Sequence, residues 1–456
     1  MRNTSIICSS VLALVSVVVR AGDDANTPVA DSATGALRTT AAPTGAAELA
    51  GAAYLPTLIR LGVSRNPAIK AAQAEWLAAI ARYPQATALP DPMIRYDYFG
   101  DRVETRVGPQ DQRIQFSQPF PFPGTLRTAG DVVLKEVVIQ SVRYDQVIRD
   151  VIVDIKLSFQ EFVYLERAVD ITRQNQNLLN HILKIANAAY ADDKAKLNDV
   201  LKAQSQLAQL SYDLILLREL QEVEIARLNT LLDLPTENPL GPARVPPLRI
   251  IDATVMEFET LALARRQEIG IATGKVEKTE VAIKLARLKT RPMFNLNGMW
   301  IDTNEALNPN TPDSGTDPWT VGMGVTIPWW VGKNRAAIEE AAHKHEAALN
   351  SKADIENRTR ATVKSVYFRL ENARRLIELY EKNLIPQATA AMEVAETWST
   401  EGGAKDIAGF LETQSVWLNF NLARLRAIAD YQQALARMER LIGGTMPAGG
   451  IGTEDD

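Results

Sequence analysis

The side chains that most often do chemistry are scarce in this sequence. Three histidines and one cysteine are all it offers to a zinc, haem or iron–sulfur site. His343 and His345 come nearest to a ligand pair, but residues two apart on a helix do not share a face. They read as ordinary helix-surface residues, and His181 stands alone. No Ser/His/Asp set, phosphate-cradling loop or zinc spacing occurs. Paired carboxylates are present, as they are on any long charged helix. No catalytic residue, metal or cofactor is expected, and the question becomes what the elements themselves build.

The chain has 456 residues, 46% apolar and 23% charged, which is enough for a large core and too polar for a polytopic helical membrane protein. A net charge of -5 argues against a nucleic-acid partner. Residues 1–21 read as an export signal: Arg2, then an apolar stretch Ile6 to Val19 too short to span, then Val19-Arg20-Ala21 as the cleavage motif. Cleavage after Ala21 removes Arg2 and Arg20, taking the charge from -5 to -7, and removes Cys8, the only cysteine. Cys8 follows Ile7 rather than a small residue, so acylation there is not expected. Residues 22–48, rich in Ala, Thr, Asp and Gly, read as a flexible lead-in, and 443–456 as a disordered tail.

Long helical periodicity dominates the body. One heptad track runs Ile148, Ile152, Ile155, Phe159, Phe162, Glu166 and Val169. Another runs Leu207, Leu210, Leu214, Leu217, Gln221, Glu224, Leu228 and Leu231. Steps of three and four predict coiled-coil packing. Between Gly124 and Tyr190 there is no proline, which predicts a helix on the order of 100 Å long. The two halves of the chain also align. Pro119 and Gly124 match Pro328 and Gly332, Arg127 matches Arg335, and Asn177-Leu178 matches Asn383-Leu384. Tyr190 pairs with Trp398, Gln204-Ser205 with Gln414-Ser415, and Ala226-Arg227 with Ala436-Arg437. A duplication explains this order. The repeats are 49–233 and 251–442, joined by a Pro-rich linker, 234–250.

Each repeat carries two alternating segments before its long helix. Strands are predicted at about 93–99 and 113–118, with Ile94, Tyr96 and Tyr98 on one face, and at about 293–301 and 319–327. The clearest has Trp319, Val321, Met323 and Val325 alternating with Thr320, Gly322, Gly324 and Thr326. Gly100 to Gln112 and Asp302 to Pro318 are expected as hairpin loops. Four strands with an apolar face cannot close a barrel alone. In an outer membrane, where open edges are forbidden, several chains would have to pool their strands around a wet lumen. The alternative for the strands is an α+β chain with two small soluble sheets, and the alternative function is a periplasmic coiled-coil scaffold or adaptor without a pore.

Over about residues 51–442 the chain resembles the TolC-family outer membrane efflux proteins. The resemblance is carried by Phe116-Ser-Gln-Pro-Phe-Pro-Phe-Pro-Gly124-Thr-Leu126, Thr326-Ile-Pro-Trp-Trp-Val-Gly332, Asn66-Pro67-Ala68-Ile69, Asn198-Asp-Val-Leu-Lys-Ala-Gln204 and Phe410-Leu-Glu-Thr-Gln414, in order and duplicated. It implies a mainly α fold with a small β part: two tandem repeats of coiled-coil helices, each with a β-hairpin. It further implies a homotrimer with a twelve-strand barrel in the outer membrane of a Gram-negative bacterium and an α-helical tunnel in the periplasm. The implied partners are a periplasmic adaptor, an inner-membrane pump of the resistance-nodulation-division type, and outer membrane lipid. The Pro-Phe-Pro-Gly junction is similar to that of the branch serving heavy-metal pumps, which makes divalent cations an implied substrate.

In this family the closed periplasmic end is pinched by acidic residues near the second-repeat turn, preceded by an aromatic. Trp398 matches the aromatic, with Tyr190 its first-repeat partner. Glu412 matches one acidic position, Gly409 stands at the other, and Asp199 is the first-repeat counterpart. Acid rings at a constriction favour cations. Asp192, Asp193, Glu401 and Asp406, also near the turns, read as solvating caps or adaptor contacts.

Overall fold

The computed structural model describes residues 49 and 51–446, apart from 246, 247, 249, 309 and 401–406. The expected export signal, the lead-in and residues 447–456 lie outside the described residues, as do Glu401 and Asp406.

The chain runs from a short strand β1 (Ala53–Tyr54) into helices α1 (Leu55–Arg65) and α2 (Pro67–Thr87). Strands β2 (Met93–Thr105) and β3 (Gly108–Phe120) follow, then helices α3 (Thr125–Ala191) and α4 (Leu197–Leu231). After β4 (Ala243–Arg244) the pattern repeats with α5 (Val255–Arg265), α6 (Gln267–Lys289), β5 (Met293–Thr303) and β6 (Trp319–Thr326). It ends with α7 (Val331–Leu379), a π-turn at Tyr380–Leu384, α8 (Ile385–Thr400) and α9 (Ile407–Ile442).

Local chemistry sets the boundaries. Asn66 caps α2 by accepting the Ala68 N–H at 2.9 Å, with Pro67 behind it, and donates its own amide to the Leu231 carbonyl that ends α4. In the second repeat a Thr254/Glu257 capping box opens α5. Pro121 and Pro123 stop β3, and Gly124 in the left-handed region turns the chain into α3, 67 residues and about 100 Å of helix. Gly130 does not interrupt that helix. It lets α2 pack close, since a Cβ there would lie 2.6 Å from Thr87 and 3.0 Å from Tyr83.

The two heptad tracks meet in one core of the first repeat, and the second repeat builds a core of its own. Ile155, Phe159 and Phe162 of α3 pack with Leu228 and Leu232 of the first repeat. Phe258, Val363, Leu370, Tyr431 and Met438 pack the second. Truncating a buried Phe such as Phe159 in such a core costs about 3–5 kcal/mol. The one acid buried in the second track, Glu224, is satisfied by the Ser158 hydroxyl of α3.

The linker is more ordered than its prolines suggest. Ala243 and Arg244 pair in parallel with Ala53 and Tyr54, and the Glu166 carboxylate accepts the Ala243 N–H at 3.1 Å. Residues 443–446, expected within the disordered tail, are instead built in. Gly443 adopts φ +76° after α9 and its carbonyl accepts from Gln267, while Met446 packs on the second-repeat core.

Four strands form one antiparallel sheet in the order β2-β3-β5-β6. The first hairpin is longer and its turn tighter than expected from Gly100 to Gln112. The turn is only Arg106-Val107, and the strands continue to Thr105 and Gly108. A register shift between Tyr98 and Val103 breaks the period-two signal there. Gly108, at φ +135°, lies so near Asn304 that a side chain would collide with its carbonyl.

Candidate functional site

The sheet sorts its residues by face. Ile94 pairs with Phe116, Phe116 with Gly298 and Gly298 with Val321. One row further, Tyr96, Ile114, Trp300 and Trp319 are paired in sequence. Directly paired residues share a face, so one apolar surface crosses all four strands. Ile94, Tyr96, Tyr98, Trp319, Val321, Met323 and Val325 are all exposed on this single chain. At its upper edge the row turns polar: the Tyr96 hydroxyl donates to Gln112, and Gln112 donates to Asp302.

The opposite face is polar and dished. It encloses about 420 Å³ lined by Arg95, Gln115, Ser117, Asn295, Asn297, Met299 and Thr320, among others. Arg113 holds its cross-strand partner Asp97 at 2.9 Å, and Arg95 reaches the same carboxylate at 2.8 Å. Ser117 donates to Asn295 across the β3–β5 pair. No helix among the described residues is long and apolar enough to cross a membrane.

The second region lies far along the helices. One core joins Ala186 and Ala189 of α3, Val200 and Ala203 of α4, Met392 of α8, and Ile407, Phe410 and Leu411 of α9. The facing ends of α3 and α4 and of α8 and α9 therefore meet in one core. Between the starts of α4 and α9 runs a groove of about 860 Å³, and Glu412 lines it with Asn198, Lys202, Ser205 and Gly409. Asp199 sits one residue beyond Asn198, where its carboxylate accepts the Lys196 N–H at 3.4 Å and so caps α4. Tyr190 is exposed in the last turn of α3. Trp398 falls within α8, but its side chain is outside the described residues. Asp193 takes a left-handed conformation in the α3–α4 turn, and Asp192 pairs with Lys194 at 3.2 Å.

The structure also places polar groups that sequence reasoning left unassigned. Gln414 and Asn175 are buried and hydrogen-bonded between α9 and α3. The signal was available: Gln414 sits between Leu411 and Leu418 on the buried stripe of α9. A second network joins the repeats. Arg149 of α3 grips Glu268 of α6 through two hydrogen bonds of 2.9 and 3.0 Å, and Arg266 adds a third at 3.0 Å. Burial pushes the Glu268 carboxyl up, but the two arginines outweigh it and hold it at about 2.

The histidines stay apart. His343 faces outward beside Glu346, whereas His345 Nδ1 lies 3.1 Å from the Thr279 hydroxyl. Among the described residues no three His, Cys, Asp or Glu side chains gather as a metal site.

The duplicated helices and paired hairpins correspond to a known family. The outer membrane efflux protein model matches residues 58–233 and 260–444, most of the chain and both repeats. The chain belongs to that family. Its members are channels rather than enzymes, and this outer membrane efflux protein sits in a Gram-negative outer membrane with its helices on the periplasmic side. Solved channels share the fold. The outer membrane protein VceC from Vibrio cholerae is 17% identical, with a TM-score of 0.71 over 86% of this chain and 96% of that one. The CmeC outer membrane channel of Campylobacter jejuni is 16% identical, with a TM-score of 0.67 over 88% and 87%. CusC, described for conformational changes accompanying transmembrane channel formation, is 13% identical, with a TM-score of 0.72 over 86% and 92%. No curated protein matches this sequence significantly.

Proposed function

We propose that this efflux protein works as a passive trimeric duct. In this reading, three chains pool their strands into a twelve-strand barrel, continued by a helical tunnel that receives substrate from an inner-membrane pump through a periplasmic adaptor. One observation carries it: the apolar face crosses all four strands, yet the strands at both ends of the sheet, β2 and β6, each have a partner on one side only. Unpaired edges in hydrocarbon cost several kcal/mol per group, so the edges need neighbours of the same kind. The outer surface of α4 points the same way, since Tyr212, Ile215, Leu220 and Val223 are exposed along it. A pore-free periplasmic scaffold would need its own helices over the apolar face, and among the described residues none covers it.

Glu412, Asp199, Trp398 and Tyr190 form the periplasmic constriction in this reading, with Glu412 the principal charge. The groove beside Glu412 suits the tip of an adaptor, because it opens between the starts of α4 and α9. Divalent metal cations are the proposed cargo, on the Pro121-Phe122-Pro123-Gly124 junction. The test begins with outer-membrane extracts. A heat-sensitive trimer that conducts in planar bilayers supports the duct. A mature chain that sediments as a detergent-free soluble monomer overturns it. Metal sensitivity of a deletion strain, rescued by the gene, tests the cargo separately.

A further inference from the structure

The polar face of the sheet offers more hydrogen-bond donors than its own acceptors use. Arg95 donates through Nε to Asp97, which Arg113 also holds, so two guanidiniums share one carboxylate and the group keeps a net positive charge. Arg95 is the one charged residue among the described residues lining the dish of about 420 Å³, and its terminal N–H groups have no partner there. The half-buried amides beside it are also unspent. Ser117 donates to the Asn295 side-chain oxygen, which leaves the Asn295 amide N–H groups unbonded. Gln115 donates only to the Met299 sulfur, at 3.4 Å, a weak acceptor. The Asn297 amide and the Thr320 hydroxyl find no partner among the described residues. Register lines these groups up. Arg95, Gln115, Met299 and Thr320 form one row across the four strands, and Ser117, Asn297 and Gly322 lie in the next. Gly322 keeps the β6 end of the dish open, since an added Cβ there would meet nothing within 4 Å.

We infer that this dish is a binding site for a small aromatic carboxylate, its charged end on Arg95 and Gln115 and its ring lying over Met299 and Asn297 toward Gly322. Charge selects an anion, because the dish holds one cation and no acid. The unused end of a guanidinium meets a carboxylate as a fork of two N–H donors. Size selects a single ring. Three strand spacings set the Arg95 and Thr320 backbones about 14 Å apart. The arginine side chain covers part of that span, and one ring with its carboxylate fills the rest. Chemistry selects an arene, since the polarizable Met299 sulfur at the centre of the row is a good neighbour for an aromatic ring. In the duct reading this face lines the lumen, so the site goes beyond the metal cargo proposed above and adds an organic anion that the wall can hold. The two are compatible. Salt confines the field of Arg95 to about 8 Å, so cations can pass along the middle of a wide lumen. Every wall of the dish comes from one chain, so the site itself stands apart from the barrel reading.

The experiment titrates the full-length protein in detergent with sodium benzoate, read by saturation-transfer NMR at low salt. Benzamide, the same shape without the charge, and inorganic phosphate, the charge without the ring, are the comparison probes. Benzoate should give saturable transfer, and both comparison probes should bind clearly more weakly. That comparison uses the native protein and needs no variant to fold. Arg95→Gln should weaken benzoate by at least about tenfold, the scale of one lost charge-assisted hydrogen bond. Arg95→Lys keeps the charge without the fork and should fall between the two. Gly322→Val fills the open end of the dish and should also weaken benzoate, with tryptophan emission checking that the fold is kept. Benzamide or phosphate bound as tightly as benzoate would overturn the inference. So would native-strength benzoate binding in either Arg95→Gln or Gly322→Val. In planar bilayers, benzoate should reduce the single-channel current of the native protein, and less so that of Arg95→Gln. A protein that binds benzoate in detergent yet never conducts would sink the duct reading and leave the site standing.

Discussion

Gln414 donates a 2.7 Å hydrogen bond to the side-chain oxygen of Asn175, and both residues are buried in the interface between α9 and α3. The bond ties the second repeat to the first one helical turn beyond Leu411, in the core beneath the repeat turns. A polar pair in an apolar seam fixes register, because sliding either helix strands both partners. Gln414→Ala should therefore cost about 1–3 kcal/mol, chiefly the unsatisfied Asn175 amide. The double variant Asn175→Leu, Gln414→Leu should recover most of that. Thermal unfolding of the detergent-solubilised protein checks both. Equal loss in the single and double variants would mean that the pair matters only for its packing.

Glu268 makes a pH prediction with a definite sign. Its folded carboxyl is held at about 2, below the usual glutamate value near 4.5. A depressed acid stabilises the fold above its unfolded value, and that contribution is lost as pH falls through the folded value. Stability should thus decline between about pH 4.5 and pH 2, as the Arg149 and Arg266 contacts lose their charged partner. Glu268→Gln should be less stable at neutral pH and show a flatter profile in that window. Unfolding midpoints measured from pH 2 to 7 for both proteins decide it. Parallel profiles would show that other carboxylates dominate the acid response.

Most of this architecture was legible because its periods are long and uninterrupted. Ile155, Phe159 and Phe162 announced α3, and Val321, Met323 and Val325 announced β6, each from spacing alone. The first hairpin was misjudged where Tyr98 to Val103 bulges. Gln110 and Gln112 there alternate with other polar residues, so no face is marked as apolar. Gly443 looked like the start of a tail, since glycine reads the same at a helix cap as in a disordered end. The Gln414 and Arg149 networks were hidden because a polar heptad position shows its partner only when the facing helix is known. Nothing in the sequence said that Asp199 would spend its carboxylate on capping α4.

The two faces of β6 should respond oppositely to charge. Val321 lies on the row shared with Ile94 and Phe116, and Thr320 on the face shared with Gln115 and Met299. Val321→Arg should cost about 2–4 kcal/mol if its row meets the bilayer midplane. Thr320→Arg should be mild, because its face already carries Arg95. Folding titrations into vesicles, or the yield of heat-sensitive trimer, give the comparison. Equal tolerance at both sites would contradict the assignment of faces.

The periplasmic constriction gives the prediction with the most mechanism. Glu412 is exposed on the first turns of α9 and lines the groove between the starts of α4 and α9. In a threefold tunnel, three copies of it approach one axis at the closed end. Like charges crowded in a narrow passage repel unless cations sit among them, so the ring should hold divalent cations and conduct less when they are bound. Glu412→Gln keeps the shape and removes the charge, which separates electrostatics from packing. Single-channel recordings should then show weaker block by divalent cations and reduced cation selectivity. Asp199→Asn should do less, because that carboxylate is engaged at the α4 cap and an amide oxygen can still accept the Lys196 N–H. Trp398→Ala, with Tyr190→Ala as its first-repeat counterpart, should raise basal conductance without altering cation block, since neither side chain carries charge. If Glu412→Gln leaves block and selectivity unchanged while Trp398→Ala opens the channel, the closure is made by packing at the turns, and Glu412 is a solvated helix residue.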